Sequence, residues 1–166
     1  MSSSSWVAEA IRGRWVWAWW TIIVCVVIWS IPSYDVCDKE PKWFLRDWSG
    51  LADEGARAET FVACHLLKAV EGWTDLGFGE FELRYLRDKM KREVDFLVLR
   101  DRRPWFLVEA KLNETALSPA LAHFQAQTKA AHAFQVVLGL PFEPVDCFSA
   151  NGPAVVPART FLSQLL

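Results

Sequence analysis

The sequence lacks the short motifs that identify several large classes of enzyme and metal protein. Its glycines form no G-x4-G-K-[ST] run, so it predicts no P-loop and no ATP site in this chain. Its cysteines have neither C-x-x-C spacing nor a Cys–His arrangement typical of zinc sites. They are Cys25, Cys37, Cys64 and Cys147. We interpret them as free thiols in a reducing compartment, which predicts a cytoplasmic protein.

Overall charge gives little information, but local charge gives more. The 166 residues carry a formal net charge of −2, which is no global signal of nucleic-acid binding. Between residues 84 and 103, however, basic side chains outnumber acidic ones. We predict a surface facing phosphates, formed by Arg87, Lys89, Lys91, Arg92, Arg102 and Arg103. The alternative is a solvated surface with ordinary ion pairs and no ligand.

The N-terminal part of the chain is atypical. Residues 15–31 contain no charged side chain and are rich in tryptophan and β-branched residues. Three interpretations are open: a short membrane helix, a buried strand, or the remnant of an upstream domain. The positive-inside rule would export everything after a membrane helix here, because Arg12 and Arg14 precede it. Export fits poorly with unpaired cysteines, so membrane attachment through residues 15–31 is the alternative to a cytoplasmic location.

Hydrophobic periodicity after residue 41 predicts an α/β domain. A short strand within Pro41–Trp48 is followed by an amphipathic helix over Gly55–Glu71. A meander of three short strands follows, and then a helix begins at Ser118-Pro119, where Pro suits the first helical position. Phe134–Leu138 is the last predicted strand. We therefore divide the chain into residues 1–40, a domain of residues 41–140, and an irregular extension of residues 141–166 that ends in at most a helical turn.

A hairpin in the meander brings acidic residues together. If its turn centres on Arg102, Asp95 lies opposite Glu109, and Lys111 shares the face of Glu109. Carboxylates that face each other repel, and a divalent cation such as Mg²⁺ or Mn²⁺ would relieve the repulsion. The alternative is a strand with one solvated face and no function.

The same residues resemble a known family of nucleases. Asp95, followed thirteen residues later by Glu109-Ala110-Lys111, is similar to the PD-(D/E)XK signature, although Val94 stands where that signature has proline. The flanking runs Pro41–Leu51 and Gly55–Lys68 resemble the C-terminal domain of unknown function of certain bacterial and archaeal AAA-type ATPases. The resemblance implies a restriction-endonuclease-like core, in the order helix, three-stranded meander, helix, strand. It also implies that Glu59, on the first helix, approaches the metal.

These observations lead to one main hypothesis and two alternatives. The main hypothesis is a metal-dependent phosphodiesterase, with Asp95, Glu109 and Glu59 as metal ligands and Lys111 serving the attacking water. Its substrate would be DNA or RNA, and an ATPase would be a partner, since the chain lacks the ATPase part of the family it resembles. The first alternative is a non-catalytic module of the same fold that binds nucleic acid or protein. The second is a membrane-attached or degenerate fragment. The sequence leaves the oligomeric state open.

Overall fold

The computed structural model describes residues 25–30, 42–45 and 47–165 of the chain. In chain order the strands are β1 (Cys25–Ser30), β2 (Lys42–Leu45), β3 (Phe81–Arg87), β4 (Glu93–Arg100), β5 (Arg103–Lys111), β6 (His132–Val137) and β7 (Pro153–Pro157). The helices are α1 (Glu54–Asp75), α2 (Pro119–Thr128) and α3 (Ala158–Ser163), with a 3₁₀ turn at Cys147–Ser149. The protein is therefore a mixed α/β structure, as the periodicity predicts.

A single seven-stranded sheet in the order β2-β1-β3-β4-β5-β6-β7 organises the described residues. Strands β3, β4 and β5 form the predicted antiparallel meander, while β6 and β7 continue the sheet in parallel. Helix α2 connects β5 to β6, which is the crossover that parallel neighbours require. The predicted order of helix, three-stranded meander, helix and strand is confirmed.

Buried side chains cover both faces of the sheet, and they alternate along the strands. On β4, Phe96 and Val98 belong to the hydrophobic cluster that includes Val62 and Leu66 of α1. Leu97 belongs instead to a second cluster, which also contains Leu121 and Phe124 of α2. Helices therefore lie on both faces of the central strands, which explains why β4 and β5 are almost continuously apolar.

Local signals fix the ends of the two longer helices. Asp53 caps α1, because its carboxylate accepts a hydrogen bond of 2.7 Å from the backbone N–H of Ala56. Pro119 occupies the first turn of α2, and Lys129 ends that helix with a left-handed φ of 57°. Helix α1 begins one residue before its predicted start and extends four residues past its predicted end.

The hairpin of β4 and β5 has the predicted register from Phe96 to Val98, but the pairs next to its turn are shifted by one residue. Its turn has two residues, Asp101 and Arg102, with φ values of 50° and 63°. A register shift between Val98 and Leu99 then compensates for the off-centre turn. Beyond the shift, Phe96 pairs with Val108, as a turn centred on Arg102 predicts. Positive φ at both turn positions is the pattern of a type I′ turn, which matches the twist of hairpin strands.

The prediction that residues 141–166 form an irregular extension is wrong. It contains β7, which pairs with β6, and α3, which buries Phe161 completely. Four prolines and a glycine led to the prediction of irregular structure, but prolines at the ends of β7 do not interrupt its pairing. This part of the chain completes the sheet and the core.

The division at residue 41 is also too simple. Strand β1 lies between β2 and β3, pairing antiparallel with the first and parallel with the second. A domain beginning at residue 41 would therefore lack the strand that connects β2 to the meander. The remaining residues of the apolar segment, 15–24 and 31, lie outside the described part of the chain. In the part that is described, none of the helices is long and apolar enough to cross a membrane.

Candidate metal and phosphodiester site

Asp95 lies at an irregularity in β4. Arg84 pairs with Leu97, but Leu86 pairs with Val94, so two β4 residues stand opposite the single residue Tyr85. This is a β-bulge, and one of its two residues is Asp95. Bulges re-aim side chains and are frequent beside active sites. At this bulge the carboxylate of Asp95 accepts a 2.9 Å hydrogen bond from the backbone N–H of Ala110 on β5.

The electrostatic surroundings of Asp95 disfavour its charge. Burial, followed by the neighbouring charge of Glu59, raises the pKa of Asp95 from 3.8 to about 7. This pKa is the net result, to which Glu109 also contributes a rise, while Lys42 and the hydrogen bond from Ala110 lower it. Near neutral pH the carboxyl group of Asp95 therefore still binds a proton in part of the molecules, as expected of a largely desolvated group that shares its site with other carboxylates.

Glu109 lies on β5 beside Ala110 and is almost fully buried, with 10% of its side chain exposed. Its Oε1 contacts the ammonium of Lys111 at 3.0 Å. Its Oε2 is buried and has no hydrogen-bond donor. A buried carboxylate oxygen without a donor is costly, so this atom is a strong candidate for binding a cation.

Lys111 is held in its charged form. Burial opposes the charge, but the hydrogen bond and the charge of Glu109 outweigh it and raise the pKa of Lys111. The side chain is 31% exposed, so the ammonium reaches solvent. A protonated lysine donates hydrogen bonds and takes up no proton, which limits its chemistry to orienting and stabilising negative groups.

Lys42 on β2 lies at the centre of the site, and the sequence patterns did not predict its role there. Its Nζ lies 3.0 Å from Oε1 of Glu59 and 3.8 Å from Oδ1 of Asp95, and it also contacts Glu93. Burial works against its charge, but Glu59, Asp95 and Glu93 together raise the pKa of Lys42. A signal was present, because Lys42 alternates with the apolar Phe44 in a short strand and Phe44 packs in the core. Because the sequence does not show which strand β2 pairs with, the alternation alone could not predict which residues Lys42 contacts.

The structure thus brings the predicted catalytic and metal residues into one cluster, which we call the carboxylate cluster. It contains Asp95, Glu109, Glu59 and Glu93, with Lys42 and Lys111 as its lysines. A cleft of about 320 Å³ opens beside it, between β2 and the start of α1. Lys42 and Glu59 line the cleft together with Trp43 and Leu51.

The fit of this cluster to a divalent cation is partial. Among the residues that the structure describes, no three acidic, histidine or cysteine side chains are grouped so that they could hold a metal ion. Two of the carboxylates do suit Mg²⁺ or Mn²⁺, because Glu109 offers a buried oxygen without a donor and the nearby carboxylates raise the pKa of Asp95 in spite of Lys42. Glu59, the predicted third ligand, is instead paired with Lys42.

The predicted phosphate-facing residues fall into two separate groups. Arg87, Lys89, Lys91 and Arg92 lie around the β3–β4 turn, next to the cluster, where Arg87 contacts Glu93 at 3.7 Å. Asp88 organises this turn by accepting hydrogen bonds from the backbone of Met90 and Arg92. Arg102 and Arg103 lie at the opposite end of the β4–β5 hairpin. At roughly 3.3 Å per residue they are about 20 Å from Asp95, too far to contact the same phosphate group.

Comparison with known proteins identifies the family to which the chain belongs. No match was found among curated proteins or among solved structures. A family model described as domain of unknown function DUF4143 matches residues 54–158. The matched range begins with α1 and ends at the first residue of α3, so it includes β3 to β7 and all of the carboxylate cluster except Lys42. The chain therefore belongs to the DUF4143 family.

Proposed function

We propose that the protein is a metal-dependent phosphodiesterase of the restriction-endonuclease-like kind, acting on nucleic acid. One observation carries the proposal: the buried carboxylate of Glu109, which has an oxygen without a donor and contacts Lys111, lies near the partly buried carboxylate of Asp95 at the bulge of β4. A buried carboxylate oxygen without a hydrogen-bond donor destabilises a fold, and such costly groups are frequent at functional sites. The order of α1, the meander, α2 and β6 supports the same fold assignment.

Each residue has a distinct part in the proposed reaction. Asp95 and Glu109 would hold Mg²⁺ or Mn²⁺, and the ion would supply positive charge to the scissile phosphate. The backbone N–H of Ala110 keeps the Asp95 carboxylate in one orientation. Lys111, fixed and kept protonated by Glu109, would orient the attacking water or stabilise charge on a phosphate oxygen. The basic β3–β4 turn would hold the neighbouring backbone of the nucleic acid.

The decisive assay is cleavage of labelled single- and double-stranded DNA and RNA with Mn²⁺. We expect the wild type to cleave at least one of these substrates, and we expect both Lys111→Ala and Asp95→Asn to lose cleavage. Lys111→Ala should still bind Mn²⁺, because its ammonium serves the water or phosphate and not the ion. Lys68→Ala is the matched control, because Lys68 is an exposed lysine on α1.

Two outcomes would contradict the proposal. The first is a wild type that neither cleaves nor is stabilised by Mn²⁺. The second is cleavage of equal rate by the wild type and Lys111→Ala, which would indicate a contaminating nuclease.

The alternative is a binding module without catalysis, and the pairing of Lys42 with the carboxylates favours it, because an internal cation can neutralise the cluster. In that case Asp95→Asn should leave nucleic-acid affinity unchanged or raise it, by removing negative charge near phosphate.

A further inference from the structure

The ammonium of Lys42 lies among the carboxylates to which the proposed function assigns the binding of a metal ion. We propose that Lys42 is a built-in counter-ion that competes with the divalent cation for Asp95 and Glu59 and so weakens cation binding. This inference rests on the proposed function, because it concerns the same cluster. It adds a residue from outside the range matched by the family model.

The contacts of Lys42 with the cluster support direct competition. Its Nζ is 3.0 Å from Oε1 of Glu59 and 3.8 Å from Oδ1 of Asp95. It also contacts Oε1 of Glu93, so three carboxylates surround a group that has three hydrogen-bond donors. A divalent cation bound to Asp95 and Glu59 would lie within a few ångströms of this ammonium, and the two positive charges would repel.

The two lysines of the cluster differ in this respect. Lys111 contacts only Oε1 of Glu109 and leaves Oε2 of the same carboxylate unpaired. Lys42 instead pairs with the carboxylate that is needed as a third ligand. Lys111 is therefore compatible with a bound cation, whereas Lys42 keeps Glu59 away from it.

There is space for Lys42 to leave. The cleft of about 320 Å³ beside the cluster is lined by Lys42 itself, together with Leu45, Leu51 and Trp43. In its present position the ammonium also lies 5.5 Å from the centre of the Tyr85 ring, a contact that it would give up on moving into the cleft. Cation binding would then release Lys42 from Glu59, and Glu59 would become the third ligand.

The test measures Mn²⁺ binding to the full chain after treatment with EDTA, with the free ion followed by electron paramagnetic resonance. We expect Lys42→Met to bind Mn²⁺ about tenfold more tightly than the wild type, because one repelling charge is removed. Lys68→Met, which removes an exposed lysine charge on α1, should bind like the wild type. Lys42→Arg retains the charge and should not bind more tightly.

Amine labelling of the wild type tests the same inference without relying on the folding of a variant. With an acylating reagent and mass spectrometry, saturating Mn²⁺ should increase the labelling of Lys42 severalfold and leave that of Lys68 unchanged. Unchanged labelling of Lys42 at saturating Mn²⁺ would overturn the inference.

The outcomes separate this inference from the proposed function. Equal or weaker Mn²⁺ binding by Lys42→Met, with cleavage retained by the wild type, refutes the competition alone. Tighter binding by Lys42→Met, with no cleavage by any protein, supports the competition and refutes the nuclease. Absence of Mn²⁺ binding in both proteins refutes both.

Discussion

Asp95→Asn should stabilise the metal-free protein at alkaline pH, although it removes a group that we place in the site. Burial and the charge of Glu59 raise the pKa of Asp95 from 3.8 to about 7. Between these two pH values the folded protein keeps a proton that the unfolded chain has lost. Stability therefore falls as pH rises through this window, and the loss is complete above about pH 7.

The size of the effect follows from the pKa. Each pKa unit corresponds to about 1.4 kcal/mol, so a rise from 3.8 to about 7 corresponds to roughly 4 kcal/mol above pH 7. Asparagine resembles the protonated acid, and its side-chain oxygen can still accept the hydrogen bond from Ala110. Relaxation around the site reduces the measured gain, so we expect Asp95→Asn to be more stable than the wild type by about 1–4 kcal/mol at pH 8.

Urea unfolding in EDTA at pH 5 and pH 8 measures this prediction. The wild type should lose stability between the two pH values, and Asp95→Asn should lose much less. Glu80→Gln is the control, because Glu80 is an exposed carboxylate beside the distant Asp101 turn. If Asp95→Asn is less stable than the wild type at pH 8, the ion pair with Lys42 outweighs burial and the reasoning is wrong.

Mg²⁺ or Mn²⁺ adds a second readout to the same variant. A cation that binds only the folded protein stabilises it by about 2.7 kcal/mol at one hundred times Kd. The wild type should show this gain at pH 8. Asp95→Asn should not, because it lacks the charge that holds the ion.

Two further changes test the surroundings of the site. Gln135→Ala should destabilise the protein by about 2–4 kcal/mol in urea unfolding, because it leaves buried backbone groups without hydrogen-bond partners. The fully buried Gln135 side chain donates to the carbonyls of Glu114 and Ala116 and accepts from the backbone N–H of Ser118. Gln127→Ala, an exposed change on α2, is its control, and equal effects would contradict this role. Arg102→Gly should stabilise the protein by about 0.5–1 kcal/mol in the same assay, because Arg102 has a φ of 63° that glycine adopts without strain. A loss of stability in Arg102→Gly would show that the arginine side chain contributes more than the turn geometry costs.

The sequence by itself determined the elements from α1 to β6 and the pairing of the central hairpin. Alternation on β4 and β5 and the i, i+3, i+4 pattern of α1 are local properties, because they depend only on strand and helix periods. The β4–β5 turn joins neighbouring strands, so Asp95 and Glu109 could be placed together from their spacing along the chain.

Only the tertiary structure decided what surrounds these carboxylates. Lys42 on β2 reaches Asp95 on β4 although β1 and β3 lie between these strands in the sheet, and no local pattern encodes that order or that contact. The bulge at Asp95 depends on the pairing of β4 with β3, which the sequence of β4 alone does not reveal. The C-terminal strand β7 was missed for the same reason, since its proline-flanked sequence forms a strand only against β6. Contacts between distant segments depend on packing of the whole sheet, and in this protein they bring Lys42 to the carboxylate cluster.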